Sequence, residues 1–194
     1  MQRLLRIVEE TMNTSPVDMM LKFTLSALWN LTDESPSTCE SFIKAGGLLL
    51  FIKILNKPDC DSTVKTKILG LVNNIAEVSP LRRNLMDKSL IDRLRELMKT
   101  DLIEVSYFAA GVLAHMTTDG EEPWSVDGVA HTDVLKDLEI VGEWAMPDAE
   151  MVAYRTFQPF FPLLRTTSPH AVQLWALWAM LHVCKWNRLW VTHF

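Results

Sequence analysis

The chain has 194 residues, 48% of them hydrophobic and 22% charged, enough apolar material for a packed array and too much for a disordered one. Lys and Arg number 19 against 24 Asp and Glu, a formal net charge of −5, so the basic field that phosphate backbones attract is missing and no nucleic-acid partner is expected. Three cysteines form no CxxC pair, no apolar run approaches the roughly 20 residues that cross a bilayer, and Met1-Gln2-Arg3 leads into helix-patterned sequence, so a soluble chain of the cytosol or nucleus without a membrane partner is expected.

Apolar residues recur at helical spacing throughout, and no segment alternates as a strand does, which predicts an all-α fold. Ser15-Pro16, Ser35-Pro36, Ser79-Pro80, Pro147-Asp148 and Ser168-Pro169 read as helix starts, where Ser or Asp caps free N–H groups and Pro suits the first turn. A long helix is predicted over Asp18–Leu31, two shorter ones over Pro36–Ala45 and Leu48–Asn56 with a turn at Gly46-Gly47, and another long one over Thr63–Val78. The cadence repeats with short helices over Leu81–Met86 and Ser89–Lys99 and a long one over Glu104–Thr117.

The long helices overlay at a polar position, Asn30, Asn74, His115 and His182, spaced 44, 41 and 67 residues apart. The first two intervals fit armadillo or HEAT units of about 40 to 47 residues, and the third is read as carrying an irregular insertion at about 119–143. The expected architecture is therefore an armadillo-like right-handed helical solenoid of about three to four repeats over residues 1–184, with a divergent tail at 185–194. The opening inside a helix and the tail KWNRLWVTHF make both ends read as cuts, as in a fragment or variant product.

Trp29, Asn30 and Asp33 share one long helix, and Asn74 and Glu77 lie i, i+3 on that of the next unit. Stacked repeats would converge these five side chains. Two carboxylates, two carboxamides and an indole wall are what a peptide's free α-amine requires, although an Asn here can equally support the groove and the Trp can be core. The five histidines contain no HExxH and no i, i+4 pair, and no phosphate-cradling or nucleophile motif is present, so no metal, cofactor or catalytic residue is expected. His115 and His182 are expected to make scaffold polar contacts, Cys39 to be a small buried residue, and the row Trp175, Trp178, Trp186 and Trp190 to form a buried face or interface.

The strings SALWNLTDESPSTCESFI (26–43), KILGLVNNIAEVSPL (67–81), EVSYFAAGVLAHM (104–116), EMVAYRTFQPFFPLL (150–164) and VQLWALWAMLHVC (172–184) resemble the armadillo-like domain of the Zyg-eleven and Zer-one substrate receptors of cullin-two RING ubiquitin ligases, closer to the Zyg-eleven branch. The resemblance runs over most of residues 16–184. It implies a non-enzymatic receptor that holds the free amino terminus of proteins beginning with glycine, with Trp29, Asn30 and Asp33 in WNLTD and Asn74 and Glu77 in NNIAE matching the family's pocket. It further implies that Asp33 and Glu77 hold the ammonium, that the Asn pair binds the first peptide units and that Trp29 excludes larger first side chains. Contact with the cullin-two and elongin scaffold would run through a cullin-box region and leucine-rich repeats that these residues lack. The alternative is a structural adaptor, or a truncated fragment, docking a partner through an apolar surface.

Overall fold

A computed structural model describes residues 1–13, 17–154 and 156–186. Nine α-helices follow one another among them: α1 (Gln2–Thr11), α2 (Met19–Thr32), α3 (Pro36–Lys44), α4 (Gly47–Leu55), α5 (Ser62–Glu77), α6 (Lys88–Leu97), α7 (Ile103–Thr117), α8 (His131–Leu138) and α9 (His170–Trp186). Short 3-10 turns occupy Ser79–Leu85, Glu139–Glu143 and Phe161–Leu164, and the described residues contain no strand. Among them, no helix is long and apolar enough to cross a membrane.

The helix starts have local causes. Asp18, Asp61 and Asp87 accept hydrogen bonds from Met20 N, Val64 N and Leu90 N at 2.8, 3.1 and 2.9 Å, satisfying donors that a first turn leaves free. Pro36 opens α3, and Gly46 takes the left-handed conformation, φ 81°, that turns the chain into α4.

The long helices α2, α5, α7 and α9 stack in succession, α1 packs on α2, and α6 and α8 back α7. Every residue of α7 from Val105 to Thr117 is buried, as is α5 from Ile68 to Ala76. A helix apolar on all sides must be covered on all sides, and the neighbouring long helices and outer layer supply that cover. Buried apolar residues from Leu5 to Ala179 form one continuous cluster. The fold is therefore an armadillo-type right-handed helical solenoid.

Three local expectations are corrected. Pro147-Asp148 starts no helix: residues 147–154 carry no regular structure, and Met151, Val152 and Tyr154 lie partly buried against the core. Residues 119–143 are not irregular throughout, since α8 and the turn at Glu139–Glu143 bury Val134, Leu138 and Val141 at helical spacing. The segment Ser79–Leu85 is a 3-10 turn rather than an α-helix. Ser15-Pro16, Trp190 and most of the 185–194 tail lie outside the described residues.

Candidate functional site

All five candidate residues line one recess of about 240 Å³ between the C-terminal ends of α2 and α5, with Phe108 of α7 at its back. Asp33 is the C-cap of α2, its N–H donating to the Trp29 carbonyl at 3.2 Å, which turns its side chain off the helix end. Glu34 follows at φ 50° and also lines the recess. Three carboxylates, Asp33, Glu34 and Glu77, thus border the space, and no lysine or arginine does among the described lining residues.

Trp29 forms the wall, and two contacts fix it. Its indole lies on the backbone of α5 at Gly70, where a Cβ would overlap Cε2 and Cζ2 of the ring. Phe108 meets it edge-on with ring centroids 5.3 Å apart.

Asn74 is buried, and its Nδ2 donates to the Trp29 carbonyl at 3.2 Å and to Thr32 Oγ1 at 3.1 Å. It therefore ties α5 to the last turn of α2, and both donor hydrogens of its amide face protein acceptors. Its Oδ1 remains the group through which it can meet a ligand. Asn30, in contrast, is exposed at the rim.

Glu77 carries the electrostatic signature of the site. Burial first, then repulsion from Asp33, raise its carboxyl from 4.5 to about 8, against the lowering effect of a 2.8 Å hydrogen bond from Asn73 Nδ2. An unliganded recess therefore holds Glu77 largely protonated at neutral pH, and a cation entering it would favour the carboxylate. Arg82 anchors the same end of α5 by donating from Nε to the Ala76 carbonyl at 2.7 Å while pairing with Asp119 at 2.5 Å.

Sequence reasoning missed Asn73, Phe108, Glu34 and the segment Met151–Tyr154, which also line the recess. A signal for the two supporting glycines does exist. Gly70 and Gly111 each lie four residues before the repeated polar position of their helix, at Asn74 and His115. Each makes room for an indole of an adjoining helix: Trp29 at Gly70, and Trp175 at Gly111, where a Cβ would stand 2.5 Å from Cζ2.

His115 and His182 are buried and do not line the recess. His115 has neither ring nitrogen hydrogen-bonded, and burial lowers it to about 3, so it stays neutral. His182 Nε2 accepts the Met151 N–H at 3.2 Å. Cys39 is fully buried behind α2, its Sγ 3.4 Å from the Thr32 carbonyl, and burial raises its thiol to about 11, so it is inert. No group of three or more His, Cys, Asp or Glu side chains suited to a metal ion occurs among the described residues.

Fold and recess together define an armadillo-type protein with an acidic concave pocket. The designed armadillo repeat protein YIII(Dq)4CqI superposes with a TM-score of 0.57 at 17% identity, covering 97% of this chain and 85% of that one. A second design, YIII(Dq.V1)4CPAF in complex with the peptide (KR)4, superposes with a TM-score of 0.53 at 19% identity, over 97% and 67%. At these identities the likeness is one of fold. Residues 1–189 match the family model "Protein zer-1 homolog-like, C-terminal domain", and the chain belongs to that family. It is 37% identical over 169 residues to Zyg eleven-related protein 1 of Caenorhabditis elegans, covering 86% of this chain and 19% of that protein. It is 34% identical over 183 residues to Protein zer-1 homolog of Homo sapiens, covering 93% and 24%. The chain thus spans about a fifth to a quarter of the length of these relatives.

Proposed function

We propose that this domain binds the free amino terminus of proteins that begin with glycine, and that within its family it serves as the substrate-recognition module of a cullin-two RING ubiquitin ligase, committing those proteins to proteasomal degradation. The observation that carries the reading is the recess with three carboxylates and no described basic side chain, one of them, Glu77, held mostly uncharged until a cation arrives. An α-ammonium fits that deficit: Asp33 and Glu77 accept hydrogen bonds from it, and the Oδ1 of Asn74 accepts from the first peptide N–H.

Trp29 supports the choice of glycine. Pinned between Gly70 and Phe108, the indole cannot swing aside for a side chain on the first Cα. The role is binding and not catalysis. Family receptors resembling this chain contact the elongin and cullin-two scaffold through regions outside the armadillo-like domain, so ligase recruitment belongs to those regions.

Anisotropy titration with peptides that differ only in a first Gly, Ala or Leu tests the reading. Affinity should fall in that order, by about tenfold or more from Gly to Leu if a well-packed wall rejects the larger group. Equal affinity for the three would overturn the glycine assignment.

A further inference from the structure

Beside the recess, part of the protein's own chain lies against α7 and α9, held by side-chain hydrogen bonds. Between the turns at Glu139–Glu143 and Phe161–Leu164, the described residues 144–154 and 156–160 lie against α7 and α9 as a strap. Three hydrogen bonds hold it to α9: Trp178 Nε1 donates to the Trp144 carbonyl at 3.4 Å, Lys185 Nζ to the Pro147 carbonyl at 3.0 Å, and the Met151 N–H to His182 Nε2 at 3.2 Å. One more joins it to α7, between the hydroxyls of Tyr154 and Tyr107 at 2.9 Å. The Tyr154 ring then packs edge-on against Phe160, which leans on Trp175 of α9.

His182 occupies in α9 the position that Asn30 and Asn74 occupy in α2 and α5, where those residues line the recess. At this repeat the polar side chain grips the strap's backbone, as a groove side chain would grip a bound peptide. The same strap contributes Met151, Val152, Ala153 and Tyr154 to the lining of the recess.

We infer that the strap is a built-in peptide that fills the groove over α7 and α9 and makes the recess a blind end, so that Met151–Tyr154 impose the requirement for a chain terminus while Asp33 and Glu77 impose its charge. The inference rests on the amine-binding reading above. In an open groove an extended polypeptide could run through, and an internal glycine would bind as well as a first one. With the strap seated, a residue ahead of the glycine would meet Met151–Tyr154 in the lining of the recess. Selectivity for termini therefore has a steric source separate from the carboxylates.

The test uses a peptide with a free first glycine and the same peptide extended by one alanine ahead of it, both labelled at the C-terminal end, titrated by anisotropy against three chains. These are the wild type, Tyr154→Phe, which removes the hydroxyl pair, and Met151→Pro, which removes the amide given to His182 and leaves α7 untouched. The wild type should prefer the unextended peptide by about tenfold or more. Each variant with a native melting curve should narrow that ratio several-fold, because binding of the extended peptide improves relative to that of the unextended one. A folded strap variant with the wild-type ratio overturns the blind-end role and leaves the amine pocket standing. A wild type that binds both peptides equally also overturns it, and one that binds neither removes the amine reading and the strap's role together.

Discussion

Glu77 concentrates the chemistry of the recess, and its titration is measurable in two ways. Between the unfolded value of 4.5 and the folded value of about 8, the folded chain retains a proton that the unfolded chain has released. Stability therefore falls as pH rises through that window. Glu77→Gln should remove this fall, read as the difference between variant and wild type in denaturation at pH 5 to 8. His115, lowered to about 3, acts in the opposite sense below pH 6.5 and cancels in that difference. An unchanged slope in the variant would contradict the assignment. Ligand binding supplies the second measurement: an ammonium beside Glu77 favours its carboxylate, so binding near pH 7 should release a proton, seen as a dependence of calorimetric heat on buffer ionisation enthalpy that Glu77→Gln abolishes. That Asn74 and Glu77 share a face of α5 was legible from their i, i+3 spacing, whereas the convergence of all five candidates on one recess rested on the expected stacking of repeats and on the family resemblance. Which hydrogen bonds they make was not legible. Asn73 and Asn74 are adjacent and chemically identical, and only the relative rotation of α2, α5 and α7 makes one the partner of Glu77 and the other the tie to Trp29 and Thr32.

At the scale of the element, α5 and α7 show why a glycine can be needed inside a helix that gains nothing from it locally. Replacing Gly111 by Ala should raise helix propensity by about 1 kcal/mol, yet the new methyl would stand 2.5 Å from Cζ2 of the fully buried Trp175 and 2.6 Å from Asn73 Oδ1. Overpacking of a filled core costs about 1–3 kcal/mol, so Gly111→Ala should lower the melting temperature overall. An unchanged or raised value would mean that α9 yields freely. Gly70→Ala acts on the wall itself. It should displace the half-buried Trp29 and weaken peptide binding several-fold with a smaller loss of stability, by titration and melting of the same sample. Helix positions were largely legible because caps and apolar periodicity are local. The strap was not, since its residues are held by hydrogen bonds to α7 and α9 from up to 47 positions away in sequence.

Across the whole molecule, repetition made the architecture readable: two intervals near the armadillo length fixed the unit before any contact was known. The third interval of 67 residues was read as an insertion at 119–143, but residues 131–143 are helical and pack as part of the array, which leaves the strap between α8 and α9 to account for much of the excess. The solenoid also carries an exposed apolar row on α9, where Leu177 and Leu181 are 56% and 60% accessible one helical turn apart. Replacing both with Lys should reduce concentration-dependent light scattering and leave peptide affinity unchanged, because neither residue lines the recess. Equal scattering by the double variant would remove that row as a source of association.

The central claim, that the acidic recess reads a free amino terminus, is tested most directly by one titration. A glycine-first peptide and its N-acetylated twin are compared on the wild type and on Asp33→Ala. Acetylation removes the positive charge and leaves the rest of the peptide in place. The account predicts binding of the free peptide alone, weakened about tenfold or more when Asp33 is lost, as expected for a charge-assisted hydrogen bond. Equal binding of the two peptides, or affinity indifferent to Asp33, would contradict it.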